Sequence, residues 1–349
     1  RMIHDGRGDI PVSMHPAAYW HPVNDGRVLC DLCPHHCRIG EGQAGRCRAR
    51  GVRNGALVAL TYGLVSAAHN DPIEKKPLYH FRPGSMIFSI GNWGCNLGCR
   101  CCQNWSIAQA PAPARTAHLT PEKVVADAVQ SGCGAIAYTY NEPLVGYEFV
   151  RDCAALAHRT GLANVLVTNG FIEPEPAGEL LPLIDALNID IKGMDEEFYR
   201  EHCRGSLAPV LAFAALAHAA KCHVEITNLV IPSRNDDDPS FERLGAWMAE
   251  TLGKATPLHL SAYHPDYELE LPPTPPATLA RALSICRRHL TYVYVGNTHS
   301  ADGNDTVCPG CNTVLVARRG YSVSVCGMKE GACMTCGRRA DIIGIKEGQ

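Results

Sequence analysis

The 349-residue chain has no appreciable excess of charge of one sign: 32 lysines and arginines stand against 35 aspartates and glutamates, for a net charge of −3. That balance argues against a general nucleic-acid coat or a membrane-surface role, both of which draw on basic surface. There is no apolar run long enough to read as a membrane-spanning helix. The first residues, Arg1-Met2-Ile3-His4-Asp5-Gly6, lack the apolar core of a secretory signal. Together these absences predict a cytoplasmic protein. The composition is 46% hydrophobic, enough to bury a sizeable core in one large α/β domain with appendages or in two ordinary domains.

The chain is rich in cysteine, with 18. In a short secreted chain such a number would mean disulfides. Here most of them fall into three spaced sets, which reads as metal or cluster binding in a reducing compartment. Of the remainder, Cys133, Cys153, Cys203, Cys222, Cys286 and Cys326 are expected to behave as small buried or half-buried apolar residues.

The organising stretch is residues 86–105, an apolar run that ends in glycines and then in a loop holding Cys95, Cys99 and Cys102. The spacing C-x3-C-x2-C wraps three corners of a [4Fe–4S] cube and has no fourth local cysteine to close it. A zinc knuckle wants four ligands, usually in two pairs, whereas iron–sulfur sites use closely spaced thiolates. A cysteine-rich structural loop or a fragment of a zinc site is the alternative. An open iron suits a ligand that chelates it, as S-adenosylmethionine (SAM) can through its amino and carboxylate groups. Cys101 also offers a thiol; the spacing favours Cys102, with Cys101 as a packing residue.

Residues 1–29 show no periodicity and read as a loosely structured lead-in. An N-terminal module and connector follow over 30–85. In it, Cys30, Cys33, Cys37 and Cys47 are a complete ligand set that fits zinc or a second iron–sulfur cluster, with His35 and His36 as spare donors. The run 56–62 reads as a β-hairpin arm. Glu74, Lys75 and Lys76 read as a solvated face of a connector, with a role near the cluster as the other possibility. Over 86–297 short apolar runs alternate with helix-like segments, the pattern of βα units and a parallel sheet. The strands expected are 86–90, 135–140, 164–168, 186–191, 223–230, 257–262 and 292–295. Helices are expected from Thr120-Pro121 through 129, and over 145–158, 206–219, 240–252 and 277–288.

Unusual polar residues stand at the strand ends, in Thr139-Tyr140-Asn141-Glu142, Thr168-Asn169, Asn188 with Asp190 and Lys192, Glu225 with Thr227 and Asn228, and Tyr263-His264. Any one of these is compatible with a capped turn or a satisfied buried polar group. Their register predicts one polar site at the rim of a barrel, where such folds place their working residues. Over 298–349, after a linker at 302–305, Cys308, Cys311, Cys333 and Cys336 form a zinc-ribbon pattern. Arg318, Arg319, Arg338 and Arg339 beside it are read as solvated surface or protein contact in preference to nucleic-acid binding.

Taken together, these motifs closely resemble those of the radical SAM proteins of the AmmeMemoRadiSam system, relatives of the pyruvate formate-lyase activating enzyme. The resemblance runs from about Cys30 to Gly344. It rests on Cys-Asp-Leu-Cys-Pro-His-His-Cys, the Asp71-Pro-Ile-Glu-Lys-Lys-Pro-Leu-Tyr-His-Phe segment, Gly94-Cys-Asn-Leu-Gly-Cys-Arg-Cys-Cys-Gln-Asn, Thr-Tyr-Asn-Glu-Pro and the terminal Cys-Pro-Gly-Cys. It implies an α/β fold, a partial (β/α)6 TIM-type radical SAM barrel with an N-terminal cysteine-rich module and a C-terminal zinc-ribbon-like tail.

It also implies a SAM-bound [4Fe–4S] cluster on Cys95, Cys99 and Cys102, and reductive cleavage of SAM to a 5′-deoxyadenosyl radical that abstracts hydrogen from a protein or small-molecule substrate. An electron donor such as flavodoxin or ferredoxin would serve it. Asn141 and Glu142 match the end of a Gly-Gly-Glu segment that receives the methionine amine, its glycines being Tyr140 and Asn141 here. Thr168 and Asn169 match a Thr-Asn-Gly turn whose preceding acidic residue is Val167 in this chain. Asp190 and Lys192 match an Asp-x-Lys near the SAM carboxylate, and His264 matches a Tyr-His. Activation of a glycyl radical enzyme is one alternative, and a metal-stabilised scaffold with a decayed radical site is another.

Overall fold

The computed structural model describes residues 2–4, 11–110, 115–298 and 304–345. Its centre is an eight-stranded sheet: β1 (Ala67–Pro72), β2 (Met86–Gly91), β3 (Ala135–Tyr138), β4 (Ala163–Thr168), β5 (Ala186–Asp190), β6 (His223–Val230), β7 (Leu258–Ala262) and β8 (Val293–Gly296). From β2 to β8 the strands run parallel in chain order, each bonded to the next, and β1 closes the other edge antiparallel to β2. The seven parallel strands are those expected from the sequence, and β1 extends the sheet beyond them. β2 and β3 carry almost unbroken apolar runs because both of their faces are covered.

Helices α1 (Pro121–Gln130), α2 (Tyr147–Arg159), α3 (Pro174–Leu180), α4 (Ala208–Ala219), α5 (Asp238–Thr251) and α6 (Pro276–Cys286) supply the crossovers. Their starts are locally encoded. Thr120 accepts the Lys123 N–H at 3.3 Å ahead of Pro121, and Asp237 accepts the Ser240 N–H at 2.9 Å. No helix among the described residues is long and apolar enough to cross a membrane.

The structure departs from several expectations. The lead-in, where described, is not loose. Met2–His4 pairs with Pro11–Ser13, His15–Pro16 with Ala56–Ala59, and Trp20–Val23 with Arg27–Cys30. Strands this short show no alternation, and the partner of Pro16 is Val58, far along the chain. The hairpin expected at 56–62 is present, as Ala56–Ala59 against Arg50–Arg53.

Second, two of the three connector charges, Glu74 and Lys76, are not a solvated face, while Lys75 is exposed as expected. Asp71, Glu74 and Lys76 are buried, with Lys76 Nζ 2.7 Å from Asp71 Oδ2 and Glu74 Oε1 accepting the Gly84 N–H at 2.7 Å. Third, Glu225 does not join the rim. It lies at the opposite end of the barrel, where its carboxylate accepts the N–H groups of Tyr79 and His80 and meets His223 and His259 at 2.9 and 2.7 Å. Burial alone would raise its carboxyl, but the two histidines outweigh this and hold it well below the carboxylate range.

Residues 77–80 thus plug the N-terminal mouth of the barrel, with Asn188 donating to the Pro77 carbonyl at 2.8 Å. The C-terminal module docks on this plug. Arg318 is buried, stacks 4.2 Å from the Tyr79 ring and donates to the Tyr79 carbonyl at 2.7 Å, so this arginine is neither solvated surface nor free for nucleic acid. Asp302 and Gly303 of the expected linker lie outside the described residues; Asp305 accepts the Arg318 N–H at 2.7 Å. The N-terminal module sits at the other end, against the cysteine loop.

Candidate active site

The C-terminal ends of the parallel strands converge on a cavity of about 240 Å³. Each strand brings its residues there as it leaves the sheet: the cysteine loop after β2, Thr139 to Glu142 after β3, Asn169 after β4, and Asp190 and Lys192 around the end of β5. Cys95, Cys99, Cys101 and Cys102 all line it, as do six of the seven residues expected to hold SAM. The seventh, His264, is exposed and off this lining; its ring meets the side-chain amide of Gln103, which does line the cavity, at 2.9 Å.

Close backbone contacts fix the cysteine loop. Gly94, at φ +89°, lies so near the Cys47 carbonyl that a Cβ there would stand 2.3 Å from the oxygen, so only glycine fits. Gly98 N–H donates to the Cys203 carbonyl at 2.8 Å and Arg100 N–H to that of His202 at 3.0 Å. Cys203, expected to be inert packing, is in thiol–thiol contact with Cys99. Only the spatial fold reveals that pairing, because three strands of the central sheet separate the two in sequence.

Tyr140 explains a departure from the Gly-Gly-Glu pattern. Its φ is +71°, a region where glycine is at ease and tyrosine is strained. The strain is held by two contacts: the Tyr140 hydroxyl donates to Asp71 Oδ2 at 2.6 Å, and Lys76 Nζ sits 4.5 Å over the ring. The buried Asp71–Lys76 pair therefore supports a wall of the cavity.

Glu142 is 3% exposed and accepts three hydrogen bonds, from Leu144 N–H at 3.0 Å, Thr168 Oγ1 at 2.7 Å and Asn169 N–H at 2.7 Å. It therefore caps the turn Pro143–Gly146 while also lining the cavity. Burial pushes its carboxyl up to about 7, and these donors only partly oppose the rise. Across the cavity Lys192 Nζ lies 3.1 Å from Asp190 Oδ2. Burial works against the Lys192 cation, but Asp190 and the neighbouring thiols outweigh it and hold the amine protonated.

Three thiols and charges of both signs fit a cluster with a zwitterionic ligand: carboxylates for an amine, a lysine for a carboxylate. Thr227 Oγ1 is buried on the same wall with no hydrogen-bond partner among the described residues, an additional group awaiting a ligand. Ser261, Asn297 and Gln103 also line the cavity. Ser261 and Asn297 escaped the sequence reading because isolated polar residues carry no motif, and Gln103 stands in the cysteine-loop motif over 94–104 without a role of its own.

The C-terminal cysteines come together as expected. Among the described residues, Cys308, Cys311, Cys333 and Cys336 are the group whose ligand atoms all lie within 4.8 Å of one another, with Cys308–Cys336 and Cys311–Cys333 sulfurs each 3.5 Å apart.

An open parallel barrel with a three-cysteine loop and a polar cavity at its C-terminal rim is the arrangement of a radical SAM enzyme. Residues 93–244 match the Radical SAM superfamily, so the chain carries a radical SAM domain. It is 42% identical over 338 residues to an uncharacterized protein of Methanocaldococcus jannaschii, covering 95% of this chain and 100% of that one. It is 31% identical over 133 residues to pyruvate formate-lyase 1-activating enzyme of Escherichia coli, covering 38% of this chain and 54% of that protein, about half its length. Among solved structures, a domain of pyruvate-formate lyase-activating enzyme from Bacteroides vulgatus is similar with a TM-score of 0.42 and 19% identity, over 47% of this chain and 99% of that one. The radical SAM domain, with activating enzymes among the relatives, marks the chain as an enzyme.

Proposed function

We propose that the chain binds a [4Fe–4S] cluster through Cys95, Cys99 and Cys102, cleaves SAM reductively, and abstracts hydrogen from a substrate. The observation that supports this most directly is the convergence of those thiols with Glu142, Asp190 and Lys192 on one cavity. The cluster, with SAM bound and one electron supplied, would provide cleavage of the C5′–S bond and a hydrogen-abstracting radical.

The rest is the protein's part. Lys192 receives the ligand carboxylate, with Asp190 keeping it protonated and oriented. Glu142 and Asn141 receive the amine, and Thr168 and the Asn169 backbone hold the Glu142 carboxylate in place. Cys101 packs beside the cluster corner. The cavity walls keep water from the reacting centre, where it would compete for the radical. His264 acts on Gln103 from outside. A flavodoxin- or ferredoxin-type protein is the electron donor, and zinc fills the C-terminal thiol set as a closed structural site. We retain the division into a lead-in, an N-terminal module over 30–85, a barrel over 86–297 and a C-terminal module over 298–349.

The test is anaerobic reconstitution, reduction and incubation with SAM. 5′-Deoxyadenosine is expected, and its absence from a chain with a full cluster would overturn the proposal. Similarity to activating enzymes favours one substrate class, a glycyl radical enzyme. In that case a candidate partner incubated with the reduced enzyme and SAM acquires a stable glycyl radical visible by electron paramagnetic resonance.

A further inference from the structure

The chain carries three cysteine sets, and they come in two sizes. Four thiolates held about 2.3 Å from one zinc are drawn into a tight tetrahedron, and the C-terminal set has that compactness, with sulfur pairs 3.5 Å apart. Neither Cys95, Cys99 and Cys102 nor the N-terminal Cys30, Cys33, Cys37 and Cys47 brings three sulfurs within 4.8 Å of one another. The N-terminal four nonetheless surround a single cavity, closed in by Leu32, Ile39 and Val145. It holds about 10 Å³ between them, room for one water-sized body. A zinc tetrahedron leaves no such room. A cube of iron and sulfide, which holds its thiolates at separate corners, requires it.

The surroundings suit an anionic cluster. Arg50, 1% exposed, lines the cavity beside Cys30 and Cys47, and its Nη1 pairs with Glu148 at 2.9 Å, so one buried cation faces the thiolates. Arg46 lines it too, and its backbone N–H donates to Cys37 Sγ at 3.5 Å.

The position is as informative as the size. This cavity shares a wall with the radical SAM loop: the Cys47 carbonyl presses on Gly94, and Asn96 lines the cavity while flanking Cys95. His35 Nε2 meets the Asn96 carbonyl at 2.7 Å, and Asn96 Oδ1 accepts from Asn169, whose amide reaches Cys95 Sγ at 3.6 Å. The C-terminal thiol set, by contrast, belongs to the module on the far mouth of the barrel.

We propose that Cys30, Cys33, Cys37 and Cys47 ligate a second [4Fe–4S] cluster that relays electrons to the first. A low-potential one-electron protein donor reduces this second cluster from the 2+ to the 1+ state. The same electron then passes across the shared wall to the cluster on Cys95, Cys99 and Cys102, returning the second cluster to 2+. The relay rests on the proposed SAM cleavage; the cluster itself does not.

Two full-length variants test it. A chain with Cys95, Cys99 and Cys102 all changed to Ala, reconstituted anaerobically, is expected to retain about four iron and four sulfide per chain. On reduction it should give a paramagnetic signal that SAM does not alter. Zinc, or no metal, in the N-terminal set would overturn the assignment. A chain with Cys33→Ala and Cys37→Ala is expected to keep the SAM-responsive cluster. It should cleave SAM with dithionite but lose cleavage driven by reduced flavodoxin, and cleavage retained with flavodoxin would overturn the relay. If the unaltered chain fails to cleave SAM even with dithionite, the proposed reaction fails while the iron content still decides the second cluster.

Discussion

The side-chain amide of Asn169 lies 3.6 Å from the sulfur of Cys95, while its backbone N–H donates to Glu142 Oε2 at 2.7 Å. One residue at the end of β4 thereby ties the cysteine loop that leaves β2 to the acidic turn that leaves β3. The amide also holds Asn96 Oδ1 at 3.0 Å, and Asn169 Oδ1 accepts the Phe171 N–H at 2.8 Å, so its orientation is fixed from both ends.

Hydrogen bonds to cluster sulfurs help set the reduction potential. A donor on Cys95 stabilises the reduced, more negative state. Asn169→Ala is therefore expected to lower the potential of the SAM-responsive cluster while leaving its iron content intact, because no ligand is lost. Potentiometric titration followed by electron paramagnetic resonance measures it. An unchanged potential would reduce the Asn169–Cys95 contact to packing.

The parallel strands were legible in the sequence because strands buried on both faces are continuous apolar runs, as in Met86–Gly91 and Ala135–Tyr138. Most of the cavity was legible too, because strand ends in such sheets carry the polar residues that face a site. What escaped was whatever depends on distant partners. Glu225 looks like Asp190 in a sequence, yet it sits inside the opposite mouth, where two histidines and two backbone N–H groups enclose it. Lys76 reads as a surface residue until Asp71 and the Tyr140 ring are placed beside it. Arg318 reads as one of a pair of surface arginines until Tyr79 is seen beneath it.

Cys102→Ala is expected to abolish the SAM-responsive cluster and Cys101→Ala to leave most of it. Both thiols line the cavity, so position does not separate them, and the assignment rests on spacing. Iron content and absorption of the reconstituted variants decide it. Loss of the cluster in the Cys101 variant with retention in the Cys102 variant would reverse the ligand.

The Asp71–Lys76 pair predicts a pH effect. Burial alone would raise the Asp71 carboxyl, but bonds from Lys75, Lys76 and Tyr140 outweigh it and hold the carboxyl well below the usual range. With a folded value beneath the unfolded one, Asp71 stabilises the fold at neutral pH, and that contribution is lost as pH falls through the carboxylate range. Lys76→Met strands a buried carboxylate at a cost of about 3 to 5 kcal/mol, the range for breaking a buried pair, moderated by the remaining Lys75. Melting curves against pH should show a lower midpoint and a shallower acid loss than in the unaltered chain. An unchanged midpoint would make the pair dispensable.

Zinc, not iron, is expected on Cys308, Cys311, Cys333 and Cys336. Its removal by a chelator should loosen the tail, since metal binding supplies folding free energy to such modules. The barrel strands, which have their own core, should persist. Anomalous scattering at the zinc edge identifies the metal, and an iron signal there would turn the tail into an electron carrier at the wrong end of the barrel.

The last prediction concerns Glu142, which serves the scaffold and faces the ligand at once. Burial raises its carboxyl from the ordinary value to about 7. Between those two values the folded state holds a proton that the unfolded state has lost, so stability falls as pH rises through that window and levels off above it. The cost is about 3 kcal/mol once the group is fully ionised. An amine arriving with the ligand favours the ionised form, so the rise in melting temperature caused by SAM should grow from about pH 6 to about pH 8. Glu142→Gln should abolish that growth attributable to the carboxyl and weaken SAM binding by about 1.5 to 3 kcal/mol, the range for hydrogen bonds to charged groups. The same substitution turns an NH2 group toward the Asn169 N–H that Oε2 now accepts, which costs about 1 to 3 kcal/mol of stability by itself. A lowered melting point alone therefore decides nothing. The pH dependence of the SAM-induced shift decides it: a shift as large and as pH-dependent in the variant as in the unaltered chain would leave Glu142 as the cap of Pro143–Gly146 and remove it from the ligand.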